Sequence, residues 1–489
     1  MQGKKSYKGY FVFFILLLVY LVFALRYSPI FEHLGSDKEV FQYIGMLIKN
    51  KGLPYSDAFD HKPPVIYLIN YLGVVLTPNS TWGVFVILNS LGFFSALLIY
   101  KLAANELKTV ILPILLCISF FCINNSNGLL EEGNLTRQLA AFLTIGILYI
   151  VFIGKKTNIK KALIGFLIGI IFFTQQNEIL GGLVLCGYYL LFEKGFNIYT
   201  FKSILKNSFF FLLGLLIPIV GILLIINHWN NYNDFINQVF LFNFSNYIED
   251  KSFIIKIGAV IYKFAKIVYV NKVLLVISLF IIYNLLSNRK NEKGWNINSK
   301  WIVVFVALIF QIASTSISGK TYGHYFLMFI PYVISLFIFS FNSIKSNYVN
   351  YASIIMLGVL VFYTVKVLPY QKPDNLMLSV LTKEVASVKG EKGQFYSLNA
   401  RYLRVNFNLN ITSPSRHIYS LYINDDIAKE VIEDLLVNKT KYVLFDNRDV
   451  DILPQSLQSF IYLNYKAVIT YKAHTLFKKQ IIIPNKSLD

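Results

Sequence analysis

Charge and cysteine are scarce in this chain. Only 15% of its 489 residues are charged, against 55% hydrophobic. A mean hydropathy of +0.54 excludes a soluble globular protein of ordinary design. The three cysteines, Cys117, Cys122 and Cys186, all fall inside apolar runs. No pair lies in an exposed loop, so no disulfide framework is implied and the thiols read as small buried hydrophobes. Acidic residues are outnumbered, 26 against 46 basic, for a net charge of +20. Phosphate-binding GxxxxGK[ST] and GxGxxG loops are missing, as are HExxH and GxSxG. A nucleotide-driven pump therefore has no support in the motifs.

What is present is a series of apolar runs, several of about 18 residues or more, each long enough to cross a bilayer core. Backbone polar groups cannot be left open in lipid, so these runs are read as helices. The positive charge lies mostly in the short loops between them, where orientation and anionic headgroups account for it, and nucleic acid is not a partner. Lys4, Lys5 and Lys8 precede an apolar run from Tyr10 to Leu25. The sequence after it, FALRYSP, lacks a small-x-small cleavage site and reads as the end of an uncleaved first span.

Eleven spans are expected: Gly9–Leu25, Trp82–Leu102, Val110–Ile123, Thr136–Ile153, Ala162–Thr174, Ile179–Phe192, Phe209–Ile226, Val273–Leu286, Trp301–Ser316, Tyr325–Phe341 and Tyr351–Leu368. With a cytoplasmic N-terminus this count puts the C-terminus outside. Val65–Leu76 is short for a span and is expected to lie at the outer surface. Phe253–Val270 carries Lys256, Lys263 and Lys266 on one helical stripe. It fits an interfacial amphipathic helix or one lining a polar cavity, and the parity of all later spans depends on it. From residue 369 the composition becomes mixed. Strands are expected at Gln394–Leu398, Lys441–Phe445, Lys466–Tyr471 and Thr475–Ile483, with helices at Asp426–Leu436 and Gln455–Leu463. The expected architecture is thus an α-helical polytopic membrane domain over 1–368, with a large first outer loop at 26–64, and a small extracytoplasmic α/β domain over 369–489.

Chemistry-bearing residues gather in Ser36–Leu68. Ser36 and Glu39 fit a capping box, and Phe41, Ile44, Leu47 and Ile48 give the helix that follows an apolar face. Asp37 suits the helix dipole there, and it also sits where a base at the water–lipid boundary is needed. Asp60, His61, Lys62, Pro63 and Pro64 follow. Lys62 fits either a snorkelling anchor or a cation gripping a phosphate, with His61 as a second donor. In the next outer loop Glu131 and Glu132 are adjacent, one placed to cap a span and the other to face a site. They could hold a divalent metal with Asp37, but no His or Cys cluster supports one, so no cofactor or metal is expected. Gln176 in the TQQNE turn, and Lys320, His324 and Tyr325 in SGKTYGHYFLMFIPY, lie at the same outer height and suit a sugar phosphate. Interfacial tyrosines are also ordinary belt residues.

Asp37, then Gly52-Leu53-Pro54-Tyr55, then Asp60-His61-Lys62-Pro63-Pro64 resemble the first outer loop of the glycosyltransferase C superfamily. The nearer likeness is to the bacterial family 39-like branch related to protein O-mannosyltransferases and the lipid A aminoarabinose transferase. Glu131, Glu132, the TQQNE turn and the GHYFLMFIPY segment are similar too, and the likeness runs from about Gly9 to Phe341. His61 departs from the residue common in relatives. The resemblance implies a multi-pass enzyme of the bacterial plasma membrane with its site outside the cytoplasm. It implies a polyprenyl-phosphate sugar as donor, a cell-envelope glycan, lipid or protein as acceptor, Asp37 as base and Lys62 on the lipid phosphate. A polysaccharide-precursor flippase or transporter, or an O-antigen-type polymerase, is the alternative. A transporter would place ionisable groups at midplane and repeat its halves; here the carboxylates cluster in outer loops.

Overall fold

The structure, a computed structural model, describes residues 3–31, 34–107, 109–289, 298–341, 346–367, 376–446 and 452–480. Helix α1 (Gly3–Ala24) leads to α2 (Ser36–Lys49) and α3 (Val65–Leu76), followed by α4 (Trp82–Leu107), α5 (Ile111–Asn124) and α6 (Thr136–Phe152). Next come α7 (Asn158–Phe172), α8 (Leu180–Leu191), α9 (Phe201–His228), α10 (Phe253–Val270), α11 (Lys272–Arg289) and α12 (Ser299–Ser316). The expected span at Tyr325–Phe341 begins with a tight 3₁₀ stretch, Gly323–Phe329, that runs into α13 (Ile330–Ser340), and α14 (Ser346–Val367) follows.

Among the described residues, five segments are long and apolar enough to cross a membrane: Gly9–Tyr27, Trp82–Leu107, Phe201–His228, Ser299–Ser316 and Gly323–Ser340. Shorter apolar helices include Ile111–Asn124, Thr136–Phe152 and Leu180–Leu191. Helices α10 and α11 meet at 107°, so they are not one straight span. Lys256 on α10 is buried, and its Nζ donates to the Ile317 carbonyl at 3.3 Å. The bundle shares one apolar core, while α9 turns residues such as Ile217 and Leu224 outward. That surface suits lipid rather than water. Where α7 crosses α9, Gly165 and Gly214 leave no room for a Cβ against the opposite backbone, at Phe211 and Ala162. Small residues at such a crossing let two apolar helices approach closely.

The C-terminal part forms α15 (Leu376–Val385), β1 (Phe395–Ser397), α16 (Leu403–Leu409), α17 (Asp425–Val437), β2 (Tyr442–Asp446), α18 (Gln455–Asn464), β3 (Tyr465–Tyr471) and β4 (His474–Lys479). The sheet order is β1-β2-β4-β3. β1 pairs parallel to β2, with Phe395 opposite Tyr442, and the other pairs are antiparallel. Each expected strand and helix of this region is present; the tail beyond residue 480 lies outside the described residues. Helices α15 and α16 lack a long periodic run and were not legible in the sequence.

This region docks on α2. Ala400, Leu403, Phe407 and Ile418 share a core with Val40, Phe41, Tyr43, Ile44 and Leu47. Arg404 donates to both Glu39 oxygens, at 2.6 and 3.0 Å, and to Gln42 at 2.8 Å. The Ser413 N–H donates to the Tyr43 hydroxyl at 2.8 Å, and the Phe59 N–H to the Arg416 carbonyl at 2.8 Å. The expected capping box is therefore not formed. Gly35 is the N-cap and no side chain caps the helix. Glu39 turns instead to Arg404, because a buried carboxylate gains more from a bidentate guanidinium than from one backbone N–H.

Candidate active site

The first loop is shaped by α2 and α3. Gly45 lets them pack closely, since a Cβ there would lie 2.7 Å from the Asn70 carbonyl carbon. Between them the chain doubles back through Pro54–Ala58, with Tyr55 at φ 71. A tyrosine in the left-handed region is strained and persists only where its surroundings over-determine it. They do so here. The Tyr55 hydroxyl donates to the Lys62 carbonyl at 3.0 Å, and the Tyr55 carbonyl accepts from Gln238 at 2.7 Å. Gln238 also accepts from the Asp60 N–H at 3.1 Å, and Asn243 donates to the His61 carbonyl at 2.9 Å. The polar-aromatic stretch after α9 thus clasps the loop through its side-chain amides. It is wound as π-helical turns at Asn237–Leu241 and Asn243–Tyr247, which carry Tyr247 to the site.

Lys62 does not snorkel. It is buried, with Nζ 3.2 Å from His61 Nε2 and 5.6 Å from the centre of the Tyr247 ring. Among the described residues no carboxylate lies within ion-pair distance of it. Burial, reinforced by the Lys62 and Arg137 charges, pushes His61 well below the usual imidazole range. His61 is thus neutral, and its Nε2 accepts from the Lys62 ammonium; it orients Lys62 rather than adding a second cation. Its Nδ1 faces Asp60 Oδ1 at 3.5 Å, and the other Asp60 oxygen accepts from Tyr67 at 2.7 Å.

Burial raises the Asp60 carboxyl to about 6, with the Asp37 charge adding to the rise and Lys62 and Tyr67 opposing it. An unfolded Asp titrates near 3.9, so between about pH 4 and 6 the folded state holds the proton more tightly. Stability from this group is full below about pH 4 and is lost as pH rises through about 6. Asp60→Asn removes that dependence. The unfolding midpoint of the wild type should rise relative to Asp60→Asn when pH is lowered from 7.5 to 5. Parallel curves for the two proteins would contradict the assignment.

Asp37 is half-buried in the first turn of α2. Its charge is felt at Asp60, Tyr247, Tyr419 and Tyr422, the residues around Lys62. Tyr325 closes another wall: its hydroxyl lies 2.7 Å from that of Tyr247, and the Arg137 guanidinium sits 3.2 Å from its ring centre. Arg137 Nε donates to Glu178 at 2.7 Å. Asp37, His61, Lys62 and Tyr325 therefore come together. Beside them, His324 contacts Tyr325 and pairs through Nδ1 with Glu131 at 2.9 Å. Glu132 lies against Gly35 at the head of α2, its carboxyl raised by burial and by Glu131. Lys320 pairs with Glu249 at 3.2 Å, away from Lys62. Gln176 donates to the Val239 carbonyl at 2.7 Å, anchoring the π-helical stretch rather than the site itself.

Four site residues were not singled out from sequence: Arg137, Tyr247, Tyr419 and Tyr422. An arginine heading an otherwise apolar run was the available signal for Arg137. The two tyrosines near 420 carried none, because only docking of the C-terminal region brings them in. Among the described residues, no group of three His, Cys, Asp or Glu side chains is arranged to hold a metal ion.

No protein-family model matches the chain, and no curated protein matches it in sequence. Among the solved structures similar in fold are two of one protein. ArnT from Cupriavidus metallidurans bound to undecaprenyl phosphate matches with a TM-score of 0.63 at 12% identity, covering 96% of this chain and 98% of that one. The apo state of the same protein gives 0.64 at 10% identity, over the same shares of both chains. The chain therefore has the fold of these ArnT structures.

Proposed function

We propose that the chain is a membrane glycosyltransferase that moves a sugar from a polyprenyl-phosphate-linked donor to a cell-envelope acceptor. The observation that carries this reading is the meeting of two buried cations, Lys62 and Arg137, with a half-buried carboxylate, Asp37, inside a wall of tyrosines. The likeness to ArnT, solved with undecaprenyl phosphate, supports the donor class. The site faces outside the cytoplasm of a bacterial plasma membrane, with residues 1–368 spanning it and 369–489 folded against the outer loops.

In this reaction the acceptor oxygen attacks the anomeric carbon as Asp37 takes its proton. The bond from that carbon to the phosphate oxygen breaks, polyprenyl phosphate leaves, and configuration inverts. Lys62 meets the charge that develops on the leaving phosphate, and His61 holds the ammonium in place. Arg137 acts at the same phosphate, its Nε edge fixed by Glu178. No group is oxidised or reduced.

The test is release of polyprenyl phosphate from a panel of polyprenyl-phosphate sugars, with an envelope extract as acceptor. Wild type should release it from one donor class. Lys62→Ala should raise the half-saturating donor concentration at least tenfold, since a charge-assisted hydrogen bond to phosphate contributes about 1.5–3 kcal/mol. Its effect on half-saturating acceptor should be smaller. Unchanged donor dependence would reduce Lys62 to a structural residue, and no release from any donor would remove the reaction class.

A further inference from the structure

Asp60, His61 and Lys62 are neighbours in sequence, and in an extended chain their side chains would alternate between opposite faces. The irregular chain before Pro63 brings them into one line instead. His61 Nδ1 faces Asp60 Oδ1 at 3.5 Å, and His61 Nε2 faces Lys62 Nζ at 3.2 Å. All three residues are more than nine-tenths buried. Asp60 is fixed from three directions. Its N–H donates to Gln238, its Oδ2 accepts from Tyr67, and the Tyr419 hydroxyl faces the same carboxyl. The Asp60 Oδ1 and the His61 Nδ1 are nevertheless both buried without a hydrogen-bond partner. Each is the group that the other lacks.

The chemistry of the imidazole decides how this line is wired. His61 is neutral, so one ring nitrogen carries a proton and the other accepts. An ammonium only donates, so Nε2, which faces Lys62, is the bare nitrogen. The proton is then on Nδ1, and a buried donor left unmet is costly. Asp60 Oδ1 is the acceptor in front of it. The Asp60 carboxyl, raised to about 6 by burial, is ionised at pH 7.5 and only accepts. The interposed ring has an advantage over a direct Asp–Lys pair. A carboxylate placed against Lys62 would compete with any anion that Lys62 is to bind. The neutral ring occupies one of the three ammonium N–H bonds and leaves the others open.

We propose that Asp60 is a positioning residue for the transfer: through His61, held as the Nδ1–H tautomer, its carboxylate aims the Lys62 ammonium at the leaving phosphate. The proposal rests on the reading of Lys62 as the cation that meets this phosphate. Asp60 touches neither donor nor acceptor, and no proton moves along the line during a turnover. Asparagine at position 60 keeps the size of the side chain. With its oxygen on Tyr67, its NH₂ faces His61 and repels the Nδ1 proton. The ring then carries its proton on Nε2, where it meets the Lys62 ammonium donor to donor, and the ammonium loses its place. Glutamine at position 61 has an oxygen to accept from Lys62 and an NH₂ to donate to Asp60, so it can stand in for the ring. Leucine there can do neither.

Two measurements on the full chain in nanodiscs at pH 7.5 test this. The first is ¹⁵N NMR of histidine-labelled protein, which reads which ring nitrogen carries the proton. His61→Gln identifies the His61 signal among the six histidines. Wild type should show the Nδ1–H form and Asp60→Asn the Nε2–H form. An Nε2–H or doubly protonated ring in wild type, or an unchanged tautomer in Asp60→Asn, overturns the proposal. The second is binding of polyprenyl phosphate, which needs no turnover. Asp60→Asn and His61→Leu should each weaken it about five- to tenfold, the size of one hydrogen bond. His61→Gln should recover most of the His61→Leu loss, which a merely space-filling role would not allow. Equal losses in the two His61 variants, or unchanged affinity in Asp60→Asn, overturn the proposal as well. If wild type does not bind polyprenyl phosphate, the reading of Lys62 fails and the aiming role falls with it, while the NMR still decides whether Asp60 sets the His61 proton.

Discussion

Replacing Asp37 with asparagine should lower sugar transfer by about 10²–10⁴-fold, the usual contribution of a positioned general base. Asparagine keeps the size and the hydrogen-bonding oxygen but cannot take the acceptor's proton. Asp37 also lies in the first turn of α2, where a carboxylate favours the helix dipole. That structural part contributes only about 0.3–1 kcal/mol. The two roles therefore separate by measurement. Transfer should collapse while the unfolding midpoint moves by a degree or two at most, about the shift expected of a fraction of a kcal/mol in a chain of this size. Half-saturating donor should stay near its wild-type value. A well-folded Asp37→Asn protein retaining more than a tenth of wild-type transfer would remove the base assignment.

The second large effect is on folding. The Glu39 side chain is fully buried and that of Arg404 nearly so, with 2.6 Å between Arg404 Nε and Glu39 Oε2. Arg404→Met leaves a carboxylate stranded in an apolar core beside Val40 and Leu403. Breaking a buried pair in this way costs about 3–5 kcal/mol. Glu39→Gln combined with Arg404→Met should recover much of the loss, because an amide in the same place carries no charge to desolvate. Thermal unfolding of the two single variants and the double variant measures this coupling. Equal, additive losses would mean that docking rests on the shared apolar core alone. Transfer should fall with Arg404→Met as well, since Tyr419 and Tyr422 reach the site only through this docking.

Local pattern carried the helices well. Val65–Leu76 and Phe253–Val270 have the limits that their apolar runs imply. Each strand of the C-terminal sheet was legible because its run of alternating or continuous apolar residues is bounded by polar turns. Asp37, His61, Lys62 and Tyr325 were legible as candidates because polar residues at the edge of an apolar span stand out. Glu39 was misread. S-x-x-E is a local signature, whereas its true partner, Arg404, is 365 residues away. Arg137 and Glu178, 41 residues apart, share that difficulty. Pairing of buried charges is a property of packing, and nothing in the periodicity of either segment announces it. Gly323–Phe329 was legible as apolar but not as the 3₁₀ opening of the Gly323–Ser340 segment.

The distance between Glu39 and Arg404 also sets a clock. At roughly 5–20 residues per second, the ribosome needs about 20–70 s after Glu39 emerges before Arg404 is made. Through that interval α2 and Asp37 are already made, but the Glu39 carboxylate beside them lacks the Arg404 guanidinium. Tyr419 and Tyr422 are later still. A nascent chain can therefore fold its apolar helices well before Tyr419 and Tyr422 join Lys62.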